Sequence, residues 1–353
     1  MTATNSNSNS APAVANSSDS SSQSSSRRDL VAIVWAPEEV RTELFARRLN
    51  ATLHHIHFLE YKRPLYAPFK YPMQWLKTWQ ILFKERPNYI YITNPPVFAA
   101  LCVYLFCAMT GAKFVMDTHP PSLYSKKWGW SLPLQRWIAK RALMNITDQE
   151  RFQRMFEEWG AKCMVLEKPP KDAPFSQLTG VVDAGKFEVA VVNTFAEDEP
   201  FQPILDAANL LPDVEFHITG NLAKANAEQK AAMATAPANC HFTGYLLGDQ
   251  YWSLLHRSRA VMVLTTFPYS LLGGGQDAMV LNKPAILSDQ PALTDYFNKG
   301  AVFVENTAEG IAKGVQEVQQ REQELIRGTQ QLLEDRQQKW DTNFRNLTTL
   351  VGG

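Results

Sequence analysis

The chain has 353 residues, too many for one ordinary hydrophobic core, so two domains are expected. Its 35 Lys+Arg balance 35 Asp+Glu and its apolar content is 45%, which describes a globular protein with no global field favouring nucleic acid. Cys102, Cys107, Cys163 and Cys240 show no CxxC spacing, which argues for reduced core thiols and against a zinc site or a disulfide framework.

Residues 1–28 form a Ser/Asn-rich tail without a large apolar run, expected to be disordered and lacking the apolar stretch of a secretory signal. "DLVAIVWA" (29–36) reads as a buried parallel strand. "EEVRTELFARRLNA" then has helical spacing, with Val40, Leu44, Phe45 and Leu49 on one face. "ATLHHIHFL" reads as a second strand. His54 and His55 point to opposite faces there and His57 follows, so an edge strand is expected rather than a metal site.

The segment 61–86 interleaves Lys62, Arg63, Lys70, Lys77 and Lys84 with Tyr66, Phe69, Tyr71, Trp75 and Trp79. That composition suits an anionic membrane surface or a lipid-phosphate acceptor. It equally suits a loop and amphipathic helix whose aromatics are core, and stacking on single-stranded nucleic acid is a third reading.

"NYIYITN" (88–94) is the next strand, followed by Pro95-Pro96 and the apolar run 97–112, too short to span a bilayer and read as a buried helix. "AKFVMDTH", "LMNITD" and "KCMVLEKPP" are further strands separated by helical segments. The alternation implies a doubly wound parallel sheet over 29–170. Residues 171–184 are Pro-rich and polar, a linker. The pattern restarts over 185–330, a second Rossmann-like domain, and 331–353 is a C-terminal helix able to pack back on the first domain. The fold class expected is α/β, two such domains facing a central cleft. A cytoplasmic location, or a peripheral one at the cytoplasmic membrane face, follows.

Open parallel sheets bind ligands at the carboxyl ends of their strands. Here those ends are rich in Thr, Asn, Gly and Asp: Thr93-Asn94, Asp117-Thr118-His119 and Thr147-Asp148 in the first domain; Thr194-Phe195, Gly220-Asn221, Gly244-Tyr245 and Thr265-Thr266 in the second. There is no GxGxxG after the first strand, no GxxxxGK[ST] and no GxSxG, which argues against dehydrogenases, P-loop enzymes and serine hydrolases. No HExxH or DxD appears, so neither a metal nor another cofactor is expected.

"NPPVFAALCVYLFCAMTGAKFVMDTH", "FHITGN", "HFTGYL" and "AMVLNKPAILSD" occur in that order. As an ordered series they resemble GT-B glycosyltransferases of the large family-four (group 1) type, and more distantly the β-mannosyltransferases acting on chitobiosyl-diphosphodolichol. The resemblance spans roughly 29–345. It implies transfer of a sugar from a nucleotide sugar to an acceptor hydroxyl, the acceptor being a glycan or lipid-linked, in glycan, exopolysaccharide or glycolipid assembly, with no nucleic-acid partner. It places the donor on the second domain, at Thr194, Phe195, Gly220, Asn221, Gly244, Tyr245, Thr265, Thr266 and Gly273, Gly274, Gly275, Gln276, Asp277. His119, with Asp117 beside it, is the catalytic candidate, and Arg41 and Asn94 are acceptor candidates. The E-x7-E pattern of such enzymes is incomplete: Asp277 stands at its second acid and Tyr269 at its first. The basic pair after the first strand of the second domain is also absent, replaced by the acidic "NTFAEDEPF". The diphosphate is then expected at backbone N–H groups of Gly273 to Gln276. A non-catalytic binding subunit and a sugar-nucleotide epimerase on the same fold are the alternatives.

Overall fold

A computed structural model describes residues 29–59, 64–168, 178 and 185–352. The tail 1–28, Tyr61, Lys62, Arg63 and all of the 171–184 linker except Leu178 lie outside the described residues.

The first lobe is a six-stranded sheet in the order β2-β1-β3-β4-β5-β6. Its strands are β1 (Leu30–Val34), β2 (Thr52–His55), β3 (Tyr89–Asn94), β4 (Lys113–Thr118), β5 (Met144–Thr147) and β6 (Cys163–Val165). All pairs are parallel. Alternation along the strands splits the core between the two faces. Val31, Ile33, Ile90, Ile92, Phe114 and Met116 pack under the helices α2 (Ala67–Glu85), α3 (Val97–Thr110) and α5 (Leu132–Ala139). Leu30, Ala32, Tyr91, Val115 and Ile146 pack under α1 (Val40–Arg48).

The helix α1 departs from the face its apolar residues suggest. Val40 is 58% exposed, and the buried side chains are Arg41, Thr42, Phe45 and Ala46. The helix is turned because Arg41 is drawn under the sheet end to Asp117 of β4, a pairing that apolar periodicity does not register.

The second lobe repeats the plan in the order β12-β11-β10-β7-β8-β9. Its strands are β7 (Phe187–Val191), β8 (Val214–Thr219), β9 (Cys240–Gly244), β10 (Ala260–Val263), β11 (Ala285–Ser288) and β12 (Ala301–Val304). They also pair in parallel. One face packs on α7 (Phe201–Leu210), the other on α9 (Gly248–Arg257) and α10 (Gly273–Val280).

The long terminal helix α12 (Ala308–Gly352) bends at Arg321, where φ is −114° and ψ 16°. Its first part buries Ile311, Val315 and Val318 against the second lobe. Its last part buries Trp340, Leu347 and Val351 against the first. Trp340 Nε1 donates to Glu167 O at 3.1 Å and Asn343 Nδ2 to Val165 O at 2.7 Å. One helix therefore ties the lobes together, its stretch from Trp340 packing back on the first domain.

The four cysteines are free thiols, all pushed up in pKa by burial. His54 and His55 sit on edge strand β2 and pair separately, with Glu85 at 2.9 Å and Glu43 at 3.6 Å. Among the described residues no helix is long and apolar enough to cross a membrane.

Candidate active site

A cavity of about 240 Å³ lies between the lobes. The first lobe contributes Glu39, Arg41, Thr118, His119, Asp148 and Lys168 to its lining; the second contributes Tyr269, Ser270, Leu271 and Gln276. The first-lobe groups arrive from strand ends and from the start of α1, as parallel-sheet geometry requires.

Asp117 is the hub. It is fully buried, and both carboxylate oxygens are occupied. Arg41 Nη2 donates to Oδ1 at 3.0 Å, while Arg41 Nε at 2.8 Å and Tyr91 Oη at 2.6 Å donate to Oδ2. Burial raises the Asp117 pKa, but the charges of Arg41 and His119 and the hydrogen bonds from Arg41 and Tyr91 outweigh it, so the carboxylate sits below the ordinary range. Three donors clamp this carboxylate beneath the cavity, whose lining does not include it, so the structure places Asp117 as a group that positions its neighbours.

Arg41 is committed in the same way. Beyond Asp117 it donates to Leu166 O at 2.6 Å, so Nε and Nη2 of this buried guanidinium at the cavity wall are committed to the frame. Asn94, the other expected acceptor residue, is also fully buried, and its Nδ2 donates to Gln135 Oε1 at 2.8 Å. It turns away from the cavity because β3 is a central strand covered on both faces.

His119 does face the cavity. Its Nε2 lies 3.9 Å from Glu39 Oε1 and 3.9 Å from Asp117 Oδ2. Asp148, at the end of β5, joins it there with Oδ1 shielded from solvent and lacking a hydrogen-bond partner among the described residues. Burial pushes the Asp148 carboxyl up, against the opposing charges of Arg41 and His119. Glu39 and Lys168 were not singled out by sequence reasoning: the one only precedes a helix, the other only precedes Pro-Pro. Asp148 was legible as an acid closing a parallel strand.

Of the donor residues expected on the second lobe, Gln276 alone lines this cavity. The others cluster at the ends of β7 to β10 and are largely engaged with one another. Thr194 N and Oγ1 donate to Glu199 at 2.7 and 2.9 Å, and Ala196 N joins them at 3.1 Å. Thr265 Oγ1 donates to Asp198 at 2.6 Å, and Thr266 N to Asp198 O at 2.7 Å. Phe195 stacks over Gly220, where φ is +137° and an added Cβ would come within 2.6 Å of the ring. Asn221 caps its own turn, Gly244 takes a φ of 75°, and Tyr245 is exposed.

The three glycines are not a loop. Gly273 to Gly275 are the first turn of α10. A Cβ on Gly274 would meet Val263 at 2.9 Å, and one on Gly275 would meet Phe297 at 2.8 Å, whereas Gly273 has open space. Two of the glycines therefore let the helix lie close on the sheet. Asp277 is buried and accepts from Tyr251 Oη at 2.8 Å, facing α9 rather than the cavity. Tyr269, at the position of the missing acid, bridges the lobes. Its ring meets Tyr124 at 4.9 Å and lies under the Arg151 guanidinium at 4.2 Å, and its carbonyl accepts from Gln149 Nε2 at 2.9 Å.

Residues 180–342 match the family described as Glycosyl transferases group 1. That match falls on the second lobe and the terminal helix up to residue 342. Solved structures agree on the whole architecture. The chain is similar to the sucrose-phosphate synthase (tll1590) of Thermosynechococcus elongatus, with a TM-score of 0.66 at 11% identity over 92% of this chain and 98% of that one. It is similar to Alr3699/HepE of Anabaena, solved in complex with UDP-glucose, with a TM-score of 0.63 at 12% identity over 91% and 99%. A glycosyltransferase of Rickettsia africae gives 0.63 at 11% identity over 91% and 90%. The chain has the GT-B fold. No curated protein matches it by sequence. The second lobe thus keeps the scaffold of the matched family while its strand-end loops carry acids that bond inward.

Proposed function

We propose that the protein is a glycosyltransferase that moves a hexosyl group from a nucleotide sugar to an acceptor hydroxyl in the cavity between the lobes, serving glycan or glycolipid assembly at a membrane surface. The observation that carries this reading is the convergence of His119 and Asp148 of the first lobe on Ser270 and Gln276 of the lobe that matches the group 1 glycosyl transferases. The reaction is a substitution at the anomeric carbon. His119 takes the proton of the acceptor hydroxyl or orients the sugar, with the Asp117 carboxylate 3.9 Å from its Nε2. Asp148, whose carboxyl burial pushes above its ordinary pKa, is the second group able to exchange a proton there. The leaving diphosphate needs positive potential. Gly275 N and Gln276 N are occupied by Leu272 O at 3.1 and 3.3 Å, so that charge comes from Lys168 at the cavity wall.

A second reading, a binding subunit without turnover, is favoured by Glu199 filling the amides of Thr194 and Ala196 and by Asp277 bonding Tyr251. One experiment separates the two. The chain is incubated with a panel of nucleotide sugars, with and without an amphiphilic acceptor, while thermal shift and nucleoside-diphosphate release are read. Transfer predicts at least one donor that raises the melting temperature and releases nucleoside diphosphate. Silence across the panel leaves the binding subunit, and conversion of a donor without acceptor leaves an epimerase.

A further inference from the structure

The helices α2, α3 and α5 cover one face of the first sheet, and their outer side lacks the polar character that such a layer ordinarily shows to water. On α2, Phe69, Met73, Leu76 and Phe83 are exposed along one stripe. On α3, Leu105 and Met109 are exposed one turn apart, with Phe98 and Leu101 half-buried on the same stripe. On α5 and the turn Gly129–Ser131 before it, Trp137 and Trp130 are exposed. The stripes join. Trp75 and Leu76 of α2 line an apolar groove of about 680 Å³ together with Phe98 of α3. Phe98 meets Trp130 at 5.8 Å, and Tyr104 of α3 meets Trp137 at 4.8 Å. Apolar side chains scattered singly need no explanation, but a patch continuous across three helices does.

The same stretch is strongly basic. Residues 64–143 hold ten Lys and Arg against two acids, in a chain with 35 of each. Both acids are paired, Glu85 with His54 at 2.9 Å and Asp117 with Arg41. Lys77 and Lys84 directly follow Leu76 and Phe83, and Arg136 directly precedes Trp137, all three cations exposed. Exposed Lys140 and Arg141 come one turn later, with the Arg141 guanidinium over the Trp137 ring at 4.0 Å.

Charge decides what covers this face. A second copy would set basic residues against basic residues, so self-association is disfavoured. An anionic bilayer suits every part: apolar side chains enter the acyl boundary, tryptophans sit among the headgroups, and long basic side chains reach the lipid phosphates.

We infer that the outer face of α2, α3 and α5 docks the protein on an anionic lipid bilayer, with Phe69, Leu76 and Met109 in the acyl boundary and Trp130 and Trp137 at headgroup depth. This gives the membrane part of the proposed function its contact surface and does not depend on the transfer chemistry.

The test floats the full chain with vesicles of phosphatidylcholine alone and of phosphatidylcholine mixed with phosphatidylglycerol. Binding to the mixed vesicles is expected to be at least about tenfold tighter and to weaken as salt rises. Leu76→Asp and Met109→Asp each weaken it by about tenfold or more, and Lys140→Glu by about fivefold or more. Met109 and Lys140 lie on α3 and α5, so their effects separate a three-helix face from a single interfacial helix. Leu210→Asp, at an exposed leucine of the second lobe, leaves binding within about twofold. All four positions are exposed, and thermal melts of the variants check that the fold is kept. Equal flotation with both vesicles, or effects of Met109→Asp and Lys140→Glu within about twofold, would overturn the inference. So would a dimer in sedimentation velocity that Met109→Asp dissociates, since a second copy would then cover the face. Vesicle binding without turnover of any donor removes only the transfer reading. Donor turnover without vesicle binding removes only this inference.

Discussion

Where its strand order reverses, the first sheet presents Lys70 and Lys127; at the equivalent place the second sheet, between β7 and β10, presents Asp198 and Glu199. Glu199 accepts from the Thr194 and Ala196 amides and the Thr194 hydroxyl, and Asp198 from the Thr265 hydroxyl. The scaffolds are alike, and the charge at the same topological point is opposite. A doubly wound sheet therefore determines where a ligand can sit, while a few loop residues decide which sign of charge it must have. In this chain the polar machinery is concentrated in the first lobe.

The strongest challenge to that contrast is Arg41→Met. It strands the buried Asp117 carboxylate, and a cost of about 3–5 kcal/mol in urea unfolding is expected. A cost below about 1 kcal/mol would mean that the first lobe has no rigid charged frame. Next comes His119→Ala, expected to lower transfer by about a hundredfold or more while donor affinity holds. Equal losses in both would recast the histidine as a donor contact.

On the second lobe, Gly275→Ala should destabilise by about 1–3 kcal/mol against Phe297, and Gly273→Ala by less than about 0.5 kcal/mol. If their order reversed in thermal melts, the triplet would be a ligand loop after all.

Asp148→Asn tests the acid in the cavity through pH. Its folded pKa is raised above the unfolded value, so the folded state holds the proton more tightly. Stability is then lost as pH rises from about 4 through the folded pKa. The variant should melt on the order of 1 °C higher at pH 7, with the gap closing towards pH 4. A gap that widens in acid would contradict the shift. The smallest effect expected is from Glu199→Ala, which frees the Thr194 and Ala196 amides and tightens nucleoside-diphosphate binding by about threefold in calorimetry. Weaker binding would show that the carboxylate serves the donor.

Much of the fold was legible from residues alone. Runs such as Leu30–Val34 and Tyr89–Asn94, bounded by Pro and polar turns, mark buried parallel strands because a strand covered on both faces must be apolar along its length. The Asp-x-His at the end of β4 was readable because alternation puts both side chains on one face. Why Gly274 and Gly275 must be glycine was not legible, since the atoms that require it, in Val192, Val263 and Phe297, come from other elements.

Taken alone, the order of residues determined two βα lobes, the polar strand ends and the place of His119, because these depend on periods of two to four residues. Tertiary structure decided the turn of α1, the clamping of Asp117 by Arg41 and Tyr91, and the absence of Asn94 and Asp277 from the cavity lining. Arg41 and Asp117 stand 76 residues apart, and only the strand order that sets β4 beside β3 under α1 brings them together. Buried charge leaves no local period, so its partners are chosen by topology.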